Sequence, residues 1–288
     1  MRRAFPFLSL LALAFGLCVR IPAQTSIGTT PGWLTYLGDG STGNWSCSSG
    51  SCFLTDEHWY SSFNISAGAT AYTRTGNGPT IIRSTGACTV AGTLGNTPNI
   101  NNSSGESEQG DFGGAGGGGG GGAQTIGHFG WYTVGNGWVP IVSGGTAGAS
   151  HGGNGGNGAA PVFSQYAPLL SSGSFWPAGG SWGGRGGGGG GGLPGNGGGP
   201  VILVCNSINF TGTIDVSGGA GHPPTANNMG AGGGGGAGYV ILSANSYAAN
   251  SGVIKTGGGP GGTCGNFTGC GAGGNGGNGW SIEILISK

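Results

Sequence analysis

The chain has 288 residues, of which 77 are glycine and 14 proline, and charged side chains make up only 6% of it. Eight cationic and eight acidic groups balance, which leaves no electrostatic footprint for nucleic acid and few candidates for acid, base or metal chemistry. A Gly plus Pro content near one third without a strict short period is the composition of disorder, unless backbone hydrogen bonds offset an ordering cost on the order of 1–2 kcal/mol per residue.

Residues 1–23 have the pattern of a signal peptide: a basic Met1-Arg2-Arg3 start, an apolar run over 8–17, and Ile21-Pro22-Ala23 as a cleavage site. They predict a secreted, extracellular or cell-surface protein beginning near Gln24. Cleavage removes Arg2, Arg3 and Arg20 and no acidic residue, so the mature chain carries a net charge of −3. No later stretch approaches the ~20 apolar residues that cross a bilayer, so membrane insertion is not expected. Leu17 before Cys18, where a lipobox needs a small residue, argues against a lipid anchor.

From 24 to 109 glycine is sparser. Phe63-Asn64-Ile65 and Thr70-Ala71-Tyr72-Thr73 read as short strands, the opening turns of a β-solenoid. Asp56-Glu57-His58 is the only dense polar cluster, and its adjacent carboxylates fit a solvated turn better than a catalytic pair.

Beyond residue 110, glycine tracts such as 116–122, 186–192 and 232–236 alternate with short apolar strands. Ile82 is followed twelve residues later by Leu94, and Ile202, 120 residues on, is followed at the same distance by Ile214. Val240-Ile241-Leu242 with Gly252-Val253-Ile254 makes a third copy about 40 residues further, and Pro161-Val162-Phe163 with Gly173-Ser174-Phe175 a degenerate one. Such spacing predicts stacked units of about 40 residues, each unable to bury its apolar row alone. The segment 280–286 reads as a closing strand. The tracts have neither helical nor strand periodicity. Glycine allows extended helices of three residues per turn to pack side by side, and a flexible linker is the alternative. The fold class expected is all-β: a short-strand solenoid-like stack combined with a polyglycine II bundle, with a leader over 1–23, a β-rich region over 24–109 and a glycine-rich repeat domain over 110–288.

Glycine tracts separated by short strands, with bulky residues confined to intervening loops, resemble the distal tail-fibre adhesins of bacteriophages and related glycine-rich bacterial surface proteins. The resemblance covers roughly 110–288, and the 64–94 stretch is similar to the leading region of such surface proteins. It implies a sandwich of polyglycine helices whose loops at one end bind a receptor.

Six cysteines remain after the leader, an even number that suggests disulfides in an exported chain. Cys47 with Cys52 and Cys264 with Cys270 would close small loops. Cys88 and Cys205 are left either to pair across the stack, if the chain doubles back, or to be buried as thiols. No histidine stands at ligand spacing, so neither a metal nor a cofactor is expected, and no glycine run continues into a phosphate loop.

Aromatic residues concentrate in two inserts, His128, Phe129, Trp131, Tyr132 and Trp138 in the first and Phe163, Tyr166, Phe175, Trp176 and Trp182 in the second. They are the candidate binding residues, suited to stacking on sugars or filling a partner's pocket, with small satellite cores as the alternative. The function expected is a secreted noncatalytic structural or adhesive protein whose partner is a cell-surface, glycan or matrix component. A self-assembling filament or matrix subunit is the alternative, and an ice-binding protein or a β-helix polysaccharide enzyme ranks lower.

Overall fold

A computed structural model describes residues 32–54, 58–73, 80–96, 131–134, 137–140, 145, 157, 191–195, 197–199 and 201–286. Apart from one helical turn, α1 (Gly32–Thr35), all regular structure among them is strand. The strands are β1 (Gly43–Cys47), β2 (Ser51–Leu54), β3 (His58–Ile65), β4 (Thr70–Thr73), β5 (Thr80–Val90) and β6 (Thr93–Asn96), then β7 (Trp131–Val134) and β8 (Gly137–Pro140), and finally β9 (Val201–Phe210), β10 (Thr213–Asp215), β11 (Val240–Asn250), β12 (Val253–Lys255) and β13 (Ser281–Leu285).

Two parallel sheets stack face to face, and the chain alternates between them. Sheet A has the order β1-β3-β5-β9-β11-β13 and sheet B the order β12-β10-β6-β4-β2, while β7 and β8 form a separate antiparallel ribbon. Strands from either side of residue 110 share both sheets, because β5 pairs with β9 and β6 with β10. The closing strand expected over 280–286 is β13. The degenerate repeat at 161–175 lies outside the described residues.

The apolar pattern explains the layering. Inward positions such as Phe63, Cys88, Leu203, Ile208 and Leu242 of sheet A meet Leu54, Ala71, Leu94 and Ile214 of sheet B in one buried cluster. In the first half of β9 all five residues, Val201-Ile202-Leu203-Val204-Cys205, are buried, while its second half alternates. A run without alternation means cover on both faces. The second cover is residues 32–37, a strap whose Leu34 and Leu37 join Ile81, Ile202, Val204, Ile241, Ile282 and Ile284 in a second cluster with Tyr239 and Trp280. Two outward polar side chains anchor the strap through its carbonyls: Ser243 Oγ donates to Leu34 O (2.7 Å) and Arg83 Nη1 to Tyr36 O (2.6 Å).

The repeat at twelve-residue spacing is realised in sheet B, where Leu94, Ile214 and Ile254 stand in register. In sheet A the equivalence of Ile82 with Ile202 shifts by one: Ile82 pairs with Leu203 and Ile81 with Ile202. An extra residue in β5 between Ser84 and Ala87 then restores the offset, so that Cys88 faces Ile208. Such a bulge accommodates one added residue at the cost of a local ladder break. Gly86 sits in it, where a Cβ would collide with Ser61 O.

Two core tyrosines set an alkaline limit. Burial pushes Tyr60 up to about 12, and burial, with the Glu283 charge second, raises Tyr247, whose hydroxyl donates to Leu242 O (2.8 Å). Both folded-state values lie above the ordinary ~10, so their contribution is intact below pH ~10 and is lost as pH rises through the folded values. The melting temperature should therefore fall between pH 10 and 12. Thermal melts followed by circular dichroism should show a shallower decline in the Tyr60→Phe/Tyr247→Phe double variant; an unchanged slope would place the titration elsewhere.

Between the last strands of the two sheets, the glycine segments run out from sheet B and return to sheet A. Residues 216–222 leave β10, turn at 223–229 and come back over 230–239 into β11; residues 256–262 leave β12, turn at 263–270 and come back over 271–280 into β13. The N–H groups of 192, 195 and 198 donate to the carbonyls of 230, 233 and 236, and those of 231, 234 and 237 to 271, 274 and 277, all at 2.8–3.0 Å. These three returning segments form one layer. Across it, the N–H groups of 232, 235 and 238 donate to 222, 219 and 216, in the opposite chain sense, and those of 273, 276 and 279 to 262, 259 and 256. Every third residue bonds to the same neighbour, and residues 230–239 are entirely buried among the segments around them.

Candidate functional site

The two outer turns meet at the far end of the glycine layers. Asn228 N donates to Thr268 O (2.8 Å), and Thr268 N to Asn227 Oδ1 (3.0 Å), so each turn holds the other. Asn228 has φ 59° and Gly269 φ 64°, and the Asn228 side-chain oxygen occupies the place where a Cβ on residue 269 would lie. Asparagine is among the few non-glycine residues that tolerate this left-handed conformation. The Cys264–Cys270 disulfide, with a Cα separation of 5.6 Å, closes the second turn. Pro223, Thr225, Ala226, Asn227, Asn228, Gly265, Asn266 and Thr268 are exposed there. The tip is thus an uncharged surface of amides, hydroxyls and backbone, braced by a disulfide and cross-turn bonds.

A second feature runs along the flank. Asn157, Gly258, Pro260, Asn275, Gly276, Gly277 and Asn278 line an open groove of about 410 Å³. Asn278 Oδ1 accepts from Gly258 N and Asn275 Oδ1 from Gly261 N, both at 2.9 Å, and Asn275 N donates to Asn157 Oδ1 at 3.0 Å. The two asparagines are three residues apart, so they fall in the same phase and substitute for the carbonyls that a further glycine segment would bring. This closes donors that an open edge would expose. The sequence carries the signal as Gly-Gly-Asn-Gly-Gly-Asn-Gly over both 152–158 and 273–279.

Of the candidate aromatic residues, Trp131 and Tyr132 lie on β7 and Trp138 on β8, with Tyr132 paired to Val139 and Thr133 to Trp138. His128, Phe129, Phe163, Tyr166, Phe175, Trp176 and Trp182 lie outside the described residues, as do Asp56 and Glu57. All three disulfides are formed: Cys47–Cys52, Cys88–Cys205 and Cys264–Cys270. Three bridges fit an oxidising, extracellular environment. Among the described residues no helix is long and apolar enough to cross a membrane, and no group of three or more His, Cys, Asp or Glu side chains is placed to hold a metal.

Charge plays a local part. Lys255 Nζ lies 3.2 Å from Asp215 Oδ2 between β12 and β10. Burial works to raise the Asp215 carboxyl, but hydrogen bonds from Ser217 and the Lys255 cation together hold it below its ordinary range. The pair is half open to water, where an ion pair adds little to stability.

Comparison with known proteins finds no family model that matches the chain, and no curated protein or solved structure similar to it.

Proposed function

We propose that the chain is a secreted, noncatalytic adhesive or structural protein, in which a β-solenoid runs directly into a sandwich of polyglycine II helices that presents loops to a cell-surface, glycan or matrix partner. The observation that carries this reading is the hydrogen-bond period of three in the glycine segments, which matches helices of three residues per turn. Alternation of the strands between two parallel sheets supports the solenoid, since each rung adds one strand to each sheet. The sandwich continues the sheets, the returning helices entering sheet A and the departing ones leaving sheet B. Its rigidity comes from backbone bonds rather than from charge, which accounts for a stable scaffold in a chain with so few ionisable groups. The braced tip and the aromatic inserts are the surfaces it would offer.

Amide hydrogen exchange on the secreted protein under nonreducing conditions tests the scaffold. Strong protection is expected at 231–238 and 273–279; exchange there as fast as in an unfolded chain would end the sandwich reading. Attachment to glycan-coated or bacterial surfaces should drop on a Trp131→Ala/Trp176→Ala double change without unfolding. Undiminished attachment would remove the inserts from the binding role.

A second reading, assembly through β12 and β13, the end strands of their sheets among the described residues, is favoured by the exposure of Val253 and Leu285 on them. Fibres that grow with concentration would mark it.

A further inference from the structure

We propose that Tyr36 and Trp59, on the outer face of sheet A, form a carbohydrate-binding corner completed by Asp39 and Thr85. The proposal names a ligand class for the adhesive reading and rests on that reading only for its biological setting, since the geometry stands alone.

The two rings are exposed, Tyr36 at 49% and Trp59 at 36%. Their centroids are 5.8 Å apart and their planes cross at 86°. Exposed large rings carry a solvation cost, and neither of these two belongs to the core clusters, into which the strap inserts Leu34 and Leu37. They are nevertheless held firmly. The Arg83 side chain, only 6% exposed, donates to Tyr36 O and places its guanidinium 5.6 Å from the Tyr36 ring centre, a cation against a ring face. Trp59 pairs with Arg83 in the sheet, and its backbone is fixed by Thr42 N donating to Trp59 O (2.9 Å) and Trp59 N donating to Thr42 Oγ1 (3.3 Å). Gly38 has φ 81° and lies so close that a Cβ there would stand 3.0 Å from the Trp59 Cβ and Cγ.

The polar half of the corner comes from the same loop, with Asp39, and from β5, with Thr85. Residues 38–40 pass over Trp59 at Gly38 and over Ser61 and Thr85 at Gly40, where a Cβ would be 3.1 Å from Thr85 Oγ1. Asp39 is between them, exposed, and held ionised by hydrogen bonds from Ser41, whose N–H donates to Asp39 Oδ1 at 2.8 Å. Its second oxygen is an acceptor for hydroxyl groups, and Thr85 offers both donor and acceptor. A right-angled pair of rings beside a carboxylate and a hydroxyl suits a pyranose: the C–H face stacks on one ring, its edge meets the other, and its hydroxyls reach Asp39 and Thr85. An acidic sugar would be repelled by Asp39, so the ligand is a neutral one. Because the corner is open, it would hold one or two residues within a longer chain rather than enclose a monosaccharide.

The test is isothermal titration of the intact, disulfide-bonded protein with chitohexaose and cellohexaose, together with affinity electrophoresis in gels containing a neutral soluble β-glucan or an α-mannan. Binding to at least one probe is expected, weakened roughly tenfold or more by Trp59→Ala and by Tyr36→Ala. Asp39→Asn should weaken it as well, while Phe53→Ala, an exposed ring on sheet B, should leave it unchanged. Trp59→Phe keeps the ring packing of the fold and should retain part of the affinity, which separates loss of stacking from loss of structure. Failure of every probe to bind, or equal affinity in Trp59→Ala with an unchanged melting temperature, overturns the proposal. Protected glycine segments alongside such a failure would leave the scaffold reading standing, so the two outcomes are distinguishable.

Discussion

Replacing Gly276 or Gly234 by alanine is expected to destabilise the protein by about 2–4 kcal/mol each, while Gly257→Ala leaves it within about 1 kcal/mol of the parent. The difference follows from what a single methyl group would meet. At Gly276 an added Cβ would overlap the carbonyl oxygen of Gly235, and at Gly234 that of Gly259. Neither oxygen is free to retreat: Gly235 O accepts from Gly259 N (2.8 Å), and Gly259 O accepts from Gly276 N (2.8 Å). Moving either one breaks the bond it accepts from the neighbouring segment. At Gly257 nothing lies within 4 Å of the added carbon, so alanine there chiefly narrows the unfolded ensemble. Alanine is not excluded from the segments as such, for Ala231 and Ala237 are both fully buried in the returning segment before β11. Urea unfolding checks the prediction through the midpoint at constant slope. Equal effects at 257 and 276 would mean that the segments do not pack as bonded neighbours.

Several levels of this arrangement are legible in the residues. The twelve-residue spacing of Leu94, Ile214 and Ile254 from their partner strands marks positions that stack in sheet B, because an inward row must repeat once per rung. The unbroken Val201-Ile202-Leu203-Val204-Cys205 run announces cover on both faces, yet it does not say what covers the second. That cover is the strap at 32–37, and its attachment through the Leu34 and Tyr36 carbonyls leaves no trace in side-chain pattern; only Arg83, the one charged residue of β5, hints at it. The bulge at Ser84 to Ala87 is similarly hidden, since an added residue shifts a repeat by one without altering its composition. The aromatic inserts attract attention by ring count alone, whereas the Tyr36 and Trp59 corner is assembled from residues 23 positions apart that no local motif joins. The tip shows no motif in the sequence, because its cross-turn bonds depend on an asparagine in a left-handed conformation that sequence spacing does not reveal.

Removing the Cys88–Cys205 bridge as the Cys88→Ala/Cys205→Ala double variant should cost about 4–5 kcal/mol, the largest effect of any disulfide in the protein. The bridge spans a sequence separation of 117, against 5 for Cys47–Cys52 and 6 for Cys264–Cys270. In the chain-entropy account the restriction of the unfolded ensemble grows with the loop that is closed, slowly but without saturating. The pairing does not need the chain to double back within the stack. It arises because β9 re-enters sheet A beside β5, the strand from which the preceding rung departed, so the cysteines sit on adjacent strands with Cα atoms 6.0 Å apart. Both are fully buried in the core between the sheets, so the alanine pair also loses packed volume at the seam. The consequence reaches beyond stability: rungs built from 43–96 and rungs built from 201–286 share one core, and the bridge fastens the join from which a long insert leaves and returns. Guanidinium unfolding of the double variant should show the lower midpoint. Proteolysis should cut it sooner than either a Cys47→Ala/Cys52→Ala or a Cys264→Ala/Cys270→Ala variant, because losing the long-range closure frees both halves of the stack to open, whereas losing a short bridge frees only one turn.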